Sequence, residues 1–212
     1  MRSHRTWRNL LYTAWDVAWI RADFAASTLR SKFFLRLQGC RFGRDFATSG
    51  CCSFKARTTG SIHFGDGVRL LADWRSNRVG MTGPVLLQTF GDGQIEFGDN
   101  SGGSACVLSS RSSITVGRYV NLGGNVRIFD HDFHPLEPDL RRLGEKEQAP
   151  HIRTAQVILE NDVFVGANSI ILKGVSIGAR SIVAAGSVVF KGTYPPDSLL
   201  TGNPAKIVGG KT

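Results

Sequence analysis

Residues 159–194 read LENDVF VGANSI ILKGVS IGARSI VAAGSV VFKGTY, six consecutive hexads without a gap. The first position holds Leu159, Val165, Ile171, Ile177, Val183 and Val189; the fifth holds Val163, Ser169, Val175, Ser181, Ser187 and Thr193. An α-helix repeats near 3.6 residues, so a six-residue period cannot keep one of its faces apolar. One short strand plus one turn fits instead. The aliphatic residue points inward, and Gly, Asn or Asp takes the strained turn conformation. Units of this kind hydrogen-bond to the coils above and below and share one core. The stretch therefore predicts a parallel β-helix.

Working outward, single hexads recur at FGDGVR from Phe64, FGDNSG from Phe97, VGRYVN from Val116 and LGGNVR from Leu122. Their phase slips between blocks, as inserted loops would cause. The segment from Leu70 to Gln94 does not fit the hexad and reads as a loop. Gly is in excess, 25 of 212 residues, which many regularly placed turns would explain. The 42% hydrophobic content supports a core, and the length suits one domain with an appendage. The boundaries expected are an arm over 1–45 and a β-helix over 46–212, with an inserted loop at about 129–156 and a tail over 195–212.

Residues 6–37 read as helical, with Trp7, Leu11, Ala14, Trp15, Ala18, Trp19 and Ala22 at three/four spacing. This arm holds much of the net charge of +9: Arg2, Arg5, Arg8, Arg21, Arg30, Lys32, Arg36, Arg41 and Arg44 stand against Asp16, Asp23 and Asp45. It has two readings. It packs on the body or on a neighbouring subunit, or it lies on an anionic membrane surface with Trp at the interface. No zinc-finger spacing, RNP motif or basic-plus-heptad helix accompanies the charge, so nucleic acid is not the expected partner. Cys40, Cys51, Cys52 and Cys106 form no C-x-x-C pair, which fits reduced thiols in a cytoplasmic protein. The N-terminus lacks a signal peptide's apolar run, and no stretch is long and apolar enough to span a membrane.

The hexads resemble those of the hexapeptide-repeat acyltransferases, over roughly residues 60–210. The resemblance implies a left-handed parallel β-helix of triangular coils, assembled as a trimer. The repeat breaks after Ile128 and resumes at about Val157. The polar interruption, FDHDFHPLEPDLRRLGEKEQAPHIRTAQ, carries three of the five histidines. Long loops on rigid scaffolds concentrate function. DFHPLEPDLRR resembles the corresponding loop of the maltose/galactoside branch and of sugar O-acetyltransferases of surface-polysaccharide pathways. There the His of His-Pro is the general base, which implies His134, with His131 the second choice. An imidazole titrating near neutrality suits deprotonation of a sugar hydroxyl. Asp132 or Asp130 would fix its tautomer.

The resemblance also implies a donor site for acetyl-CoA in a groove between neighbouring β-helices. Phe164, where the family often carries Trp, would pack on the pantetheine arm. Ala167 and the turn Ala184, Ala185, Gly186 and Ser187 would offer close backbone groups. In the tail, YPPDSLLTGNPAKIV matches the family ending; Asn203 lies in it, and Lys206 and Lys191 would meet the phosphates. On the acceptor side Asn100, Asn125 and Trp74 are the candidates. The activity implied is transfer of acetyl to a hydroxyl of a saccharide or glycolipid precursor. Two other readings stand beside it: a metal enzyme resembling γ-carbonic anhydrases, built on His131-x-x-His134, and a non-catalytic β-helix scaffold. The first of the three requires no metal.

Overall fold

A computed structural model describes residues 7–210; Arg2 and Arg5 of the basic count and residues 211–212 of the tail lie outside it. Short parallel strands stack into three sheets that form the faces of a prism. The first face runs from Arg41–Phe42 to Gly192–Tyr194, the second from Ala47–Ser49 to Ala205–Gly210, and the third from Cys52–Lys55 to Val188–Val189. Parallel pairing thus starts at Arg41, well before the first recognisable hexad.

The hexad phase is the phase of the core. Leu159, Val165, Ile171, Ile177, Val183 and Val189 are fully buried. The fourth positions Asp162, Asn168, Gly174, Arg180 and Gly186 all have positive φ, from 60° to 75°. The fifth-position serines are buried too, and the neighbouring coil satisfies them. Ser169 Oγ donates to Ala184 O at 3.0 Å, Ser181 Oγ to Pro195 O at 3.2 Å, and Ser187 Oγ accepts from the Gly202 amide at 3.2 Å. The sixth hexad departs from the pattern. Ile158 meets Ser176 and Ile170 meets Val188, eighteen residues on, but Ile177 meets Tyr194, only seventeen on. The shortened coil turns Thr193 out to solvent.

Toward the N-terminal end the core changes chemistry. Phe42, Phe46, Phe64 and Phe97 stack at centroid distances of 5.6, 4.8 and 5.5 Å, and aliphatics fill the coils beyond. The Leu70–Gln94 segment is not one loop. Leu70 and Leu87 are buried strand residues, and only 72–84 leaves the helix. Asn125 holds that loop down: its Oδ1 accepts from the Thr82 amide at 2.9 Å, and its Nδ2 donates to Gly80 O at 3.0 Å.

The arm is one helix, α1, Trp7–Leu37. Its packed face is not the one the tryptophan spacing marks. Trp7, Leu11, Trp15 and Trp19 are 48–66% exposed, while Ser27, Ser31 and Leu35 are buried against the first coil. The Thr28 hydroxyl accepts from the Thr48 amide at 2.9 Å, Asp23 accepts from the Gly50 amide at 2.8 Å, and Arg30 donates to Gly50 O at 2.7 Å. These bonds occupy backbone groups of an open sheet edge, the usual liability of a solenoid end. The other end is closed by Ala205–Gly210, which folds back antiparallel on Ser198–Gly202.

Second-position glycines answer a separate demand, the closeness of the next coil. A Cβ on Gly178 would lie 2.4 Å from Pro196 N and 2.7 Å from Pro195 C, backbone that cannot give way. Gly178→Ala is expected to cost about 1–3 kcal/mol in urea denaturation, as overpacking does. Gly209→Ala, with nothing within 4 Å of the new methyl, should stay within about 0.5 kcal/mol. Equal losses would remove close stacking as the reason.

Candidate active site

The inserted loop leaves the third face after Arg127–Phe129 and rejoins the first at Val157–Leu159. Its neck is closed by backbone pairing. His131 bridges Thr154, the Asp132 amide donates to Arg153 O at 3.0 Å, and the Ala155 amide donates to Asp130 O at 2.8 Å. Beyond the neck lie two four-residue helices, α2 at Pro138–Arg141 and α3 at Glu145–Gln148, and a 3-10 turn at Ala149–His151.

Asp130 is the anchor of the neck. Its side chain is fully buried and receives the Ser110 hydroxyl at 2.6 Å, the amides of Arg111 and Ser112 at 2.8 Å each, and His131 Nδ1 at 2.9 Å. Burial pushes its carboxyl up, but the bonds from His131, Ser110 and the two amides outweigh burial and hold it below the ordinary carboxylate range. An ionised carboxylate only accepts, so Nδ1 of His131 carries the hydrogen. The His131 ring itself is buried, with Phe90 and Phe133 at centroid distances of 5.8 and 4.8 Å.

His134 differs in each respect. It is exposed, and Nδ1 lies 3.0 Å from Oε1 of Gln148. Neither aspartate expected to orient it does so. Asp130 serves His131, and Asp132 pairs with Lys173 Nζ at 2.5 Å. Sequence reasoning missed Gln148 and Lys173. Gln148 is fourteen residues away along a loop without periodicity, and Lys173 occupies a free hexad position. Asp132–Lys173 lashes the loop to the repeat stack.

The second face carries a trough of about 1120 Å³. Its floor includes Gly102, Gly103, Asn121 and Gly123, and Phe24 of α1, Asn77 and Val79 line it as well. Phe164, 46% exposed, and Ala167 lie in it together with Asn100. Ala185 and Gly186 are exposed at the adjoining corner. Among the described residues, the Ala167 and Ala185 amides meet no acceptor within the chain. Lys191 is exposed, and Asn203 and Lys206 are exposed in and beside the C-terminal hairpin.

Two acceptor candidates are otherwise engaged. Asn125 is buried and spends its amide on the 72–84 loop and on Asn168 at 3.1 Å. Trp74 stacks with Arg75, whose guanidinium lies 4.4 Å from its ring centre and 5.4 Å from that of Trp19. That stack ties α1 to the loop. Among the described residues no group of three or more His, Cys, Asp or Glu side chains converges as metal ligands would.

Comparison with known proteins agrees with this architecture. Residues 156–191 match the family described as "Hexapeptide repeat of succinyl-transferase". Galactoside O-acetyltransferase of Lactococcus lactis is 34% identical over 58% of this chain and 56% of its own length, so the chain spans little more than half of that relative. WbbJ of Escherichia coli K12, described as a lipopolysaccharide biosynthesis O-acetyl transferase, is 32% identical over 72% of this chain and 73% of its own. Among solved structures, the N-acyltransferase AntD of Bacillus cereus, crystallised with dTDP-4-amino-4,6-dideoxyglucose and coenzyme A, superposes with a TM-score of 0.65. It is 21% identical, covering 85% of this chain and 89% of that one. The acetyltransferase VCA0836 of Vibrio cholerae, complexed with acetyl coenzyme A, gives 0.56 at 22% identity, covering 98% and 91%. The chain belongs to the hexapeptide-repeat acyltransferases, and its fold is the left-handed β-helix of that family with an added helical arm and an inserted loop.

Asp130 makes the loop neck sensitive to acid. Because its folded-state pKa is lowered, its contribution is complete at neutral pH and is lost as pH falls below the unfolded carboxylate value toward the lowered one. Asp130→Asn is expected to cost about 2–3 kcal/mol at neutral pH, the loss of bonds to a charged acceptor. In urea denaturation the gap to wild type should narrow below a pH of about 4. A gap independent of pH would show that the charge is not what matters.

Proposed function

We propose that this protein is an O-acetyltransferase that moves acetyl from acetyl-CoA to a hydroxyl of a saccharide or glycolipid precursor, with His134 as general base. The observation that carries the proposal is the state of His134: an exposed imidazole, held through one nitrogen, on the loop that interrupts the repeats. His131, by contrast, is buried and committed to Asp130. In the reaction His134 takes the proton as the acceptor oxygen bonds to the thioester carbonyl carbon. Backbone N–H groups stabilise the resulting oxyanion, the C–S bond breaks, and the imidazolium returns the proton to the thiolate. Phe164 packs on the pantetheine arm, and the amides at Ala167 and Ala185 bond its carbonyls. Ala184, Gly186 and Ser187 keep the corner small, Asn203 shapes the hairpin, and Lys191 and Lys206 meet the phosphates. Asn100 takes the acceptor side, with Asn121 and Asn77 of the same trough.

The working unit in this reading is a homotrimer. Within one chain the loop with His134 leaves the corner between the third and first faces, while the trough lies on the second. A neighbouring copy brings the two together. The exposed aromatic face of α1, with Arg21 exposed beside it, lies on an anionic membrane surface at the cytoplasmic side; among the described residues no helix is long and apolar enough to cross a membrane.

Thiol release from acetyl-CoA against a panel of sugars and glycolipids tests the reaction. His134→Ala should lose at least ~10²-fold in kcat; wild-type turnover would sink the assignment. Absence of both release and coenzyme A binding would favour the scaffold reading. For the arm, Leu11→Ala with Trp15→Ala should abolish sedimentation with anionic liposomes, and a wild-type protein that ignores such liposomes would refute the contact.

A further inference from the structure

The amide that holds His134 cannot turn over freely. Gln148 is 8% exposed, and its Nε2 donates to Leu143 O at 2.6 Å and to Arg141 O at 3.1 Å. Reversing the amide would set Oε1 against two carbonyl oxygens and leave both N–H donors without them. Its backbone is fixed too, since the Gln148 amide N–H donates to Gly144 O at 3.0 Å at the end of α3. Oε1 therefore faces His134, and the bond to Nδ1 can only run from the ring to the amide. In the neutral imidazole that leaves the lone pair on Nε2.

We propose that Gln148 is the positioning residue of the acetyl transfer. It selects the Nδ1–H tautomer of His134 and aims Nε2 outward to receive the acceptor's proton. The inference rests on His134 being the base. Loop geometry makes the selection: the end of α2 and the turn after it supply the two carbonyls that orient the amide, and the amide orients the ring. A neutral acceptor does this without placing a second charge beside an imidazole that must become charged and then neutral in each turnover. Asp130 meets Nδ1 of His131 with a carboxylate instead, and there the ring is buried.

The test combines spectroscopy with kinetics on the full-length protein. A long-range proton–nitrogen correlation spectrum of ¹⁵N-histidine-labelled wild type, recorded where the ring is neutral and assigned by loss of the signals in His134→Ala, should show Nδ1 protonated and Nε2 unprotonated. Gln148→Leu should lower kcat about 10- to 100-fold, as loss of an orienting partner does, and shift the ring toward the Nε2–H form. Its KM for acetyl-CoA should stay within about two-fold, because the donor contacts are untouched. Gln148→Glu keeps an oxygen opposite Nδ1 but sets its other oxygen against the Arg141 and Leu143 carbonyls, so it should restore the tautomer and part of kcat only where that carboxyl is protonated and donates to them. A wild-type ring carrying its proton on Nε2 would overturn the proposal, even if the variants fail to fold. Wild-type kcat in Gln148→Leu would overturn it as well, and so would a loss of kcat with the tautomer unchanged. If His134→Ala keeps its turnover, the base assignment fails as well, an outcome separate from these three.

Discussion

Backbone hydrogen bonding between neighbouring coils sets a stacking distance of about 4.8 Å along the whole prism, and the rest of the molecule answers to that spacing. Where the second hexad position is Gly, the next coil's backbone comes so near that a methyl has no room, as at Gly178 against Pro195 and Pro196. At the fifth, a small or β-branched residue fits, and where that residue is Ser its hydroxyl must find a partner in the next coil, as Ser169 and Ser181 do. At the fourth, the chain turns through left-handed φ, where Asp162, Asn168 and Gly174 sit. The same spacing leaves open sheet edges at both ends. α1 closes one through Thr28, Asp23 and Arg30, and the Ala205–Gly210 strand closes the other.

A stack this regular offers little concave surface of its own, so departures from the repeat build the candidate site. The 72–84 loop, pinned by Asn125, helps wall the trough on the second face, and α1 lines it too. The 130–156 loop carries the imidazole. Its neck is held by charge: buried Asp130 satisfies four donors at once, and partly exposed Asp132 binds Lys173 of the stack. The two histidines three residues apart are thereby separated in role. One is sealed among aromatic rings beside a carboxylate; the other is presented to solvent by a neutral amide.

The aromatic residues of α1 show how a periodic pattern can be right about structure and silent about direction. The spacing of Trp7, Leu11, Trp15 and Trp19 marks a helix, and a helix forms, yet this stripe faces outward. Apart from Leu35, which joins the core, the packed side is the small and polar one, Ser27, Thr28 and Ser31, because what it covers is chiefly a strand edge rich in unpaired N–H and C=O groups. Trp74 and Asn125 follow the same logic. Both residue types are common in sugar sites, but here the first stacks on Arg75 and the second clamps a loop.

The sequence by itself determined the β-helix, the inward register of residues 159–189, the position of the inserted loop and the candidacy of His134. Each follows from local periodicity or a short motif, and the stacking constraint acts on every hexad alike. The tertiary structure alone decided the first coil at Arg41, the seventeen-residue coil that exposes Thr193, the outward face of α1, and the partners of the loop carboxylates. It alone brought Gln148 to His134. These features depend on contacts between segments whose separation along the chain bears no fixed relation to their separation in space, so no period in the sequence encodes them.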